Sequence, residues 1–291
     1  MKIALVGYGN IGRAVIAAAE KAKDVELVGI VRRAPGAVGN YNVVTDVAEL
    51  PAFDVAVLCT PSRTVPETAE ALLSRGISTV DSFDIHGDIP AVRKSLDAAA
   101  KSGGAVSVLS AGWDPGSDSV IRALLLAAAP SGITHTNFGP GMSMGHSVAV
   151  RAIQGVRDAL SMTIPKGESL HRRMVYVEVD GTRAFDDIAA AVKADPYFVH
   201  DETYVMEVPD VSALRSMAHG VHLERIGVSA DAQNQRFCFD MAIDNPALTA
   251  QMMLSCARAA TRQQPGCYTL IELPMIDLLP GDRDEHIAKL V

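Results

Sequence analysis

Short apolar runs alternate with amphipathic stretches over the first 115 residues or so. The runs at 3–6, 25–31, 55–59, 77–81 and 105–110 read as buried strands. Between them, 11–23, a segment starting near Val65, and 89–100 space their apolar residues as helices do, with Pro66 tolerated in a first turn. That alternation predicts βαβ units and a parallel sheet covered on both faces. Past residue 116 the texture changes. A helix is expected over 118–128, then a glycine-rich stretch at 138–146, then longer alternating runs at 159–164, 173–179, 204–208 and 236–243. These predict an antiparallel sheet with intervening helices. A helix from Pro246 to about Arg262, an apolar run at 270–273 and a short terminal helix close the chain.

Ligands of a parallel sheet bind beyond the carboxyl ends of its strands, so the first turn after each run is the informative one. The first of these reads Gly7-Tyr8-Gly9-Asn10-Ile11-Gly12. Gly7 permits the tight turn, Gly9 lets backbone approach a pyrophosphate, and Gly12 lets the helix pack close to the strand. The helix N-terminus then offers free N–H groups to phosphate. The second strand ends in Arg32-Arg33, where an enzyme using NAD carries an acidic residue. Two arginines suit a ribose 2′-phosphate, so NADP is the expected cofactor. Thr60-Pro61-Ser62, after the next strand, completes the expected cofactor-binding set. The expected fold class is α/β. A Rossmann-type dinucleotide-binding domain spans 1–116 and an α+β substrate-binding and dimerisation domain spans 117–245. Residues 246–291 are expected to pack back on the first domain.

Composition narrows the class. The chain has 291 residues, 48% hydrophobic and 21% charged, with a formal charge of −8. Such a surface disfavours nucleic acid and anionic membranes, without excluding local phosphate recognition by Arg32 and Arg33. Cys59, Cys238, Cys256 and Cys267 have no metal-binding spacing and read as reduced thiols, with Cys59 a small hydrophobe at a strand end. No charged and apolar leader precedes Gly7, and no apolar run reaches membrane-spanning length. A cytoplasmic, unanchored protein is expected.

Asp84 and Asp114 follow two strands and are expected at the same sheet edge. Paired carboxylates would repel a developing oxyanion. They suit an ammonium group, or a proton taken from it. Each also has a plain reading, Asp84 as a turn cap and Asp114 as an Asp-Pro turn. Trp113, the single tryptophan, stands beside the second. Thr163, Arg173, His219 and Asn245 are the notable polar groups of the second half, and spacing alone does not assemble them. His219 and His222 lie three apart, but no nearby carboxylate completes a metal set.

Taken together, several motifs resemble the meso-diaminopimelate dehydrogenase family over essentially the whole chain. They are Gly7 to Arg13, Arg32-Arg33, Val80-Asp81-Ser82-Phe83-Asp84 with Asp88-Ile89-Pro90, Gly112-Trp113-Asp114-Pro115-Gly116, Phe138-Gly139-Pro140-Gly141 with Gly145-His146-Ser147, and Asp244-Asn245-Pro246. The resemblance implies a homodimeric, NADP-dependent enzyme that oxidatively deaminates the D-centre of meso-2,6-diaminopimelate. It implies that Asp84, Trp113 and Asp114 line the substrate cleft with Phe138, and that backbone at Met144 and Gly145 approaches the reacting carboxylate. It also implies that Thr163, Arg173 and His219 hold the distal carboxylate and that Asn245 completes the distal site. Met144 and Val148 replace polar residues of the better-known branch, and the stretch from Pro165 to His171 is short. The chain thus resembles the smaller second type, which tolerates simple 2-keto acids.

Two other readings compete. Another Rossmann oxidoreductase, such as a dihydrodipicolinate-reductase-like enzyme or a glucose–fructose-type sugar dehydrogenase, would share the first half. The sugar enzymes carry Glu-Lys-Pro after the fourth strand, where this chain has Ser82-Phe83-Asp84 and Trp113-Asp114-Pro115. A non-catalytic NADP-sensing regulator would bind cofactor without turnover and leave the acidic loops without an ammonium to meet.

Overall fold

A computed structural model of the chain describes residues 1–34, 36–214 and 219–291. In chain order the first elements are β1 (Lys2–Val6), α1 (Asn10–Lys21), β2 (Glu26–Val31), β3 (Val43–Val44), β4 (Val55–Leu58), α2 (Val65–Leu73), β5 (Ser78–Asp81), α3 (Ile89–Gly103), β6 (Val106–Val108) and α4 (Ser117–Ala128). Then come β7 (Ser131–Phe138), β8 (Gly141–Ser143), α5 (Met144–Arg151), β9 (Val156–Gly167), β10 (Leu170–Val179), α6 (Phe185–Ala194), β11 (Glu202–Glu207), β12 (His219–Ser229) and β13 (Ala232–Ile243). The chain ends with α7 (Asn245–Ala260), β14 (Gly266–Tyr268) and α8 (Arg283–Leu290). It divides into two compact units, 1–123 with 245–291, and 124–244.

The first unit is a parallel sheet of seven strands in the order β14-β6-β5-β4-β1-β2-β3. This is the doubly wound arrangement, with the order reversing beside β1. β4 is buried along its whole length, as a strand covered on both faces must be. α1 buries Gly12, Val15, Ile16 and Ala19, one stripe at helical spacing, and shares a core with α7 on one face. The other face holds Val65, Ala69, Leu72 and Leu73 of α2 with Leu96 and Ala100 of α3. α3 ends where Gly104 turns left-handed at φ 68°. Arg258 of α7 is 6% exposed and donates from Nε to Asp24 at 2.6 Å, clamping the C-terminal segment to the turn before β2.

The Rossmann expectation holds, with differences in detail. The strand of the C-terminal segment is Gly266–Tyr268, which extends the sheet beside β6, and the apolar run after it coils into a 3₁₀ turn, Leu270–Glu272. Residues 117–123 and Asn245 belong with the first unit and not the second. The start of α4 is tied to the loop before it, because the Ser117 and Asp118 N–H groups donate to the Gly112 and Trp113 carbonyls.

The second unit departs further from a single antiparallel sheet. It holds two sheets, β11-β10-β9-β8 and β13-β12-β7. β11 runs parallel to β10 because α6 joins them, and a strand–helix–strand crossover returns the chain in the same direction. Val175 and Val177 of β10 pack with Ile188 and Val192 of α6 and with Phe198. β7 and β12 carry weak alternation and are defined by pairing with their neighbours. Met217 and Ala218, which flank His219 in the sequence motif, lie outside the described residues.

Candidate active site

The glycine-rich turn is shaped by contact with backbone. Gly7 has φ +99°, and a Cβ there would stand 2.5 Å from the Cys59 carbonyl oxygen. A Cβ at Gly12 would meet the Gly7 oxygen at 2.6 Å, whereas one at Gly9 would meet nothing within 4 Å. The turn is therefore closed on the protein side and open above Gly9, the form a pyrophosphate cradle requires. α1 starts with no side-chain cap and no acidic residue in its first turn, which leaves its N–H groups available to an anion. The Arg13 and Arg32 guanidinium carbons each lie 5.9 Å from the Tyr8 ring centre, so two cations gather on the turn's aromatic residue. Arg33 is exposed on the next residue. Thr60 Oγ1 is buried beside this turn without a hydrogen-bond partner. These residues fit a dinucleotide. Burial pushes the Cys59 thiol far up, consistent with a packed and unreactive group.

Two acidic loops leave the same sheet edge, and one buried side chain holds both. Asp81 at the end of β5 accepts N–H bonds from Phe83 at 2.9 Å and from Ser110 at 3.1 Å. Asp84 is exposed and takes a 2.6 Å hydrogen bond from Ser62 Oγ, which ties the loop after β4 to the loop after β5. Pro61 caps the short turn that presents Ser62. Asp114 is only 12% exposed in its side chain and is ion-paired with Arg122 of α4, while His86 Nε2 lies 3.9 Å away. Trp113 is buried, at 5% exposure. Asn245, at the start of α7, accepts a 2.9 Å hydrogen bond from Thr249.

The sequence reading missed Asp118 and Arg122. Asp118 is fully buried one turn beyond Asp114 and 4.0 Å from Arg122. Burial first, and then the Asp114 charge, push its carboxyl up to about 7, while Arg122 and Trp113 pull the other way. An aspartate four residues past another at a helix start is the only signal the sequence held.

In the second unit the structure brings Thr163, Arg173, His219 and Phe138 together. Thr163 and Arg173 are register partners on β9 and β10, and the Arg173 guanidinium bonds Thr163 Oγ1. Arg173 is 9% exposed. His219 lies edge-on to Phe138 at 6.5 Å between ring centres, and its pKa is lowered by burial with a further contribution from Arg173. Asp201, His171 and His146, none of them foreseen as site residues, complete the cluster. Arg173 Nε donates to Asp201 at 2.6 Å, and NH2 lies 2.9 Å from His171 Nε2. His146 bonds Ser143 through Nδ1 and the Tyr197 carbonyl through Nε2. Met144 and Gly145 form the first turn of α5, which has no acidic residue and no side-chain cap.

A doubly wound sheet with an open glycine turn and charged strand-end loops defines a Rossmann oxidoreductase that binds a nicotinamide dinucleotide. Residues 1–108 match the model of the oxidoreductase family with NAD-binding Rossmann fold. Residues 112–172 match the diaminopimelic acid dehydrogenase C-terminal domain. The chain is 58% identical to a meso-diaminopimelate D-dehydrogenase of Bacteroides fragilis, covering 100% of this chain and 99% of that one. It is structurally similar to the Corynebacterium glutamicum DAP dehydrogenase in complex with DAP, at a TM-score of 0.89 and 32% identity over 100% and 99% of the two chains. An engineered D-amino acid dehydrogenase bound to NADP+ matches at 0.84 and 32%, again over 100% and 99%. The chain belongs to the meso-diaminopimelate D-dehydrogenase family. Among the described residues no helix is long and apolar enough to cross a membrane.

The raised Asp118 carboxyl makes a stability prediction. Its folded pKa, about 7, lies above the ordinary carboxylate value, so the native state holds a proton that the unfolded chain has lost. The contribution is full at low pH and is lost as pH rises from about 4 through 7. Each unit of upward displacement corresponds to about 1.4 kcal/mol, so Asp118→Asn should gain roughly 1–3 kcal/mol at pH 8 and little at pH 4. Urea midpoints at the two pH values measure it. An equal change at both would refute the assignment.

Proposed function

We propose that the chain catalyses the reversible, NADP-dependent oxidative deamination of the D-centre of meso-2,6-diaminopimelate. The products are ammonia and L-2-amino-6-oxopimelate, which cyclises to tetrahydrodipicolinate. One observation supports the reading above the others: Arg173 and Thr163 are buried and hydrogen-bonded to each other, with half-buried His219 close enough to feel the Arg173 charge, a set of groups suited to a carboxylate. Family membership supplies the reaction class.

When bound, the dinucleotide supplies the hydride acceptor at nicotinamide C4. The chain's own groups do the rest. Asp84 or Asp114, or a water they hold, binds the substrate ammonium and takes its proton, so that the Cα hydride and the amine proton both leave and an imine remains for water to hydrolyse. The lysines avoid the strand-end loops, so the proton work falls to carboxylates. Trp113 of the first unit and Phe138 of the second are assigned to substrate contact. The first-turn N–H groups at Met144 and Gly145 receive the reacting carboxylate. Arg173, Thr163, His219 and Asn245 hold the distal end. Pinning both ends selects the centre that reacts.

Gly7, Gly9 and Gly12 with Tyr8, Asn10, Ile11, Thr60, Pro61 and Ser62 hold the dinucleotide, and Arg32 and Arg33 the 2′-phosphate. A homodimer accords with exposed apolar residues on the second unit, notably Ile133 and its cross-strand partner Ile226. The free cysteines accord with a reducing, cytoplasmic setting. Met144 and Val148 accord with tolerance of simple 2-keto acids.

Three measurements test this reading. NADP+ should be preferred over NAD+, and replacing Arg32 and Arg33 by neutral residues should cost roughly 2–4 kcal/mol in NADP+ binding. Equal efficiency of the unmodified protein with both cofactors would remove the 2′-phosphate assignment. Asp84→Asn and Asp114→Asn should depress turnover at least tenfold with NADPH affinity nearly kept, since neither residue is assigned to the dinucleotide. Near-normal turnover in both would make the pair structural. Arg173→Met should cost roughly 2–5 kcal/mol in kcat/KM with meso-diaminopimelate. The loss should be at least tenfold smaller with D-norleucine, which has no distal carboxylate. A uniform loss would place Arg173 in the fold or at the reacting carboxylate.

A further inference from the structure

Arg173 already holds a carboxylate that belongs to the chain. Its Nε donates to Asp201 Oδ2 at 2.6 Å, one NH1 hydrogen goes to Thr163, and NH2 meets His171. A guanidinium has five N–H donors, so these three contacts leave one on each terminal nitrogen for a carboxylate arriving end-on. Asp201 Oδ1 is also 3.4 Å from His171 Nε2, and Oδ2 is 3.9 Å from His146 Nε2.

The imidazoles around this pair add no charge. Burial and then the Arg173 charge lower the pKa of both His171 and His146, the latter to about 4, and burial lowers that of His219. At neutral pH the cluster is one guanidinium and one carboxylate, and its net charge is zero. A second carboxylate therefore gains less than it would from an unpaired guanidinium, because Asp201 repels it across the same group. Asp201 is 20% exposed in its side chain, so solvent damps this repulsion without abolishing it.

We infer that Asp201 is a specificity-determining residue: by neutralising Arg173 it cuts the advantage that a distal carboxylate brings and opens the site to D-amino and 2-keto acids that lack one. The inference rests on the reading of Arg173 as the distal-carboxylate ligand.

The test is the ratio of kcat/KM for meso-diaminopimelate to that for D-norleucine. Asp201→Asn keeps an oxygen for the Nε donor and removes only the charge. The ratio should rise about tenfold, chiefly through a lower KM for meso-diaminopimelate. Asp201→Glu should keep it within about threefold of the unmodified enzyme. Combined with Arg173→Met, the asparagine substitution should lose its effect, because the guanidinium through which it acts is gone. Asp201→Ser serves as a second neutral variant if the first folds poorly, and is read the same way. A ratio that stays or falls in the neutral variants, while Arg173→Met alone still discriminates against meso-diaminopimelate, overturns the role of Asp201 and leaves the function intact. If Arg173→Met lowers both substrates equally, the distal-site reading fails and this inference fails with it.

Discussion

The acidic edge of the first unit hangs on a single buried carboxylate. Asp81 is wholly out of solvent, and its Oδ1 accepts the N–H groups that begin the loops after β5 and β6. The Ala111 N–H donates to the Asp81 carbonyl as well, at 2.7 Å. Asp84 and the Trp113–Asp114 pair are thus set by one residue at the end of a central strand. Burial outweighs the two donated hydrogen bonds and leaves the Asp81 carboxyl raised to about 6. Such a group is costly to keep, and it earns its place by satisfying backbone that two irregular loops would otherwise leave unbonded. Ser110 adopts φ 61°, a conformation few non-glycine residues take, which its bond to Asp81 helps hold.

Backbone approach governs the same carboxyl edge of the sheet two strands away, after β1. Gly7 and Gly12 leave no room for side chains because strand, turn and helix meet there, and Gly9 alone faces open space. The Gly112–Gly116 turn repeats the device. Gly116 sits at φ +146° with the Gly112 carbonyl where a Cβ would be, and α4 starts from it. Both turns convert a strand end into a helix start through close backbone contact, and each lies next to a charged side chain assigned to ligand.

The parallel sheet is legible in the sequence because its strands are buried on both faces and its helices show single apolar stripes. β14 is not, since Gly266-Cys267-Tyr268 is short and owes its state to pairing with β6. β7 and β12 are similar cases, where polar and glycine positions such as Gly132, Gly220 and Gly227 dilute the alternation. Arg32, Asp84 and Asp114 stand out because their types and places point to chemistry. Asp118, Arg122 and Asp201 do not, because their meaning comes from partners: Asp114 is eight residues from Arg122, and Asp201 is 28 from Arg173. Asn245 and the second unit's residues carry no common spacing, so only family likeness groups them beforehand.

Both units satisfy their key charges internally, and this shapes what binding can achieve. Asp114 is paired with Arg122 and Arg173 with Asp201, each in a largely desolvated setting. An arriving ammonium or carboxylate therefore exchanges or shares a partner and does not meet a bare ion. The free energy of recognition is then the difference between two pairings, which is smaller than either alone. On the proposed assignments recognition is therefore sensitive to the resident partner, and a change at Arg122 or Asp201 would act through the residue it pairs with. A scaffold built this way can change its substrate range at the counter-ions while the ligand-facing residues stay fixed.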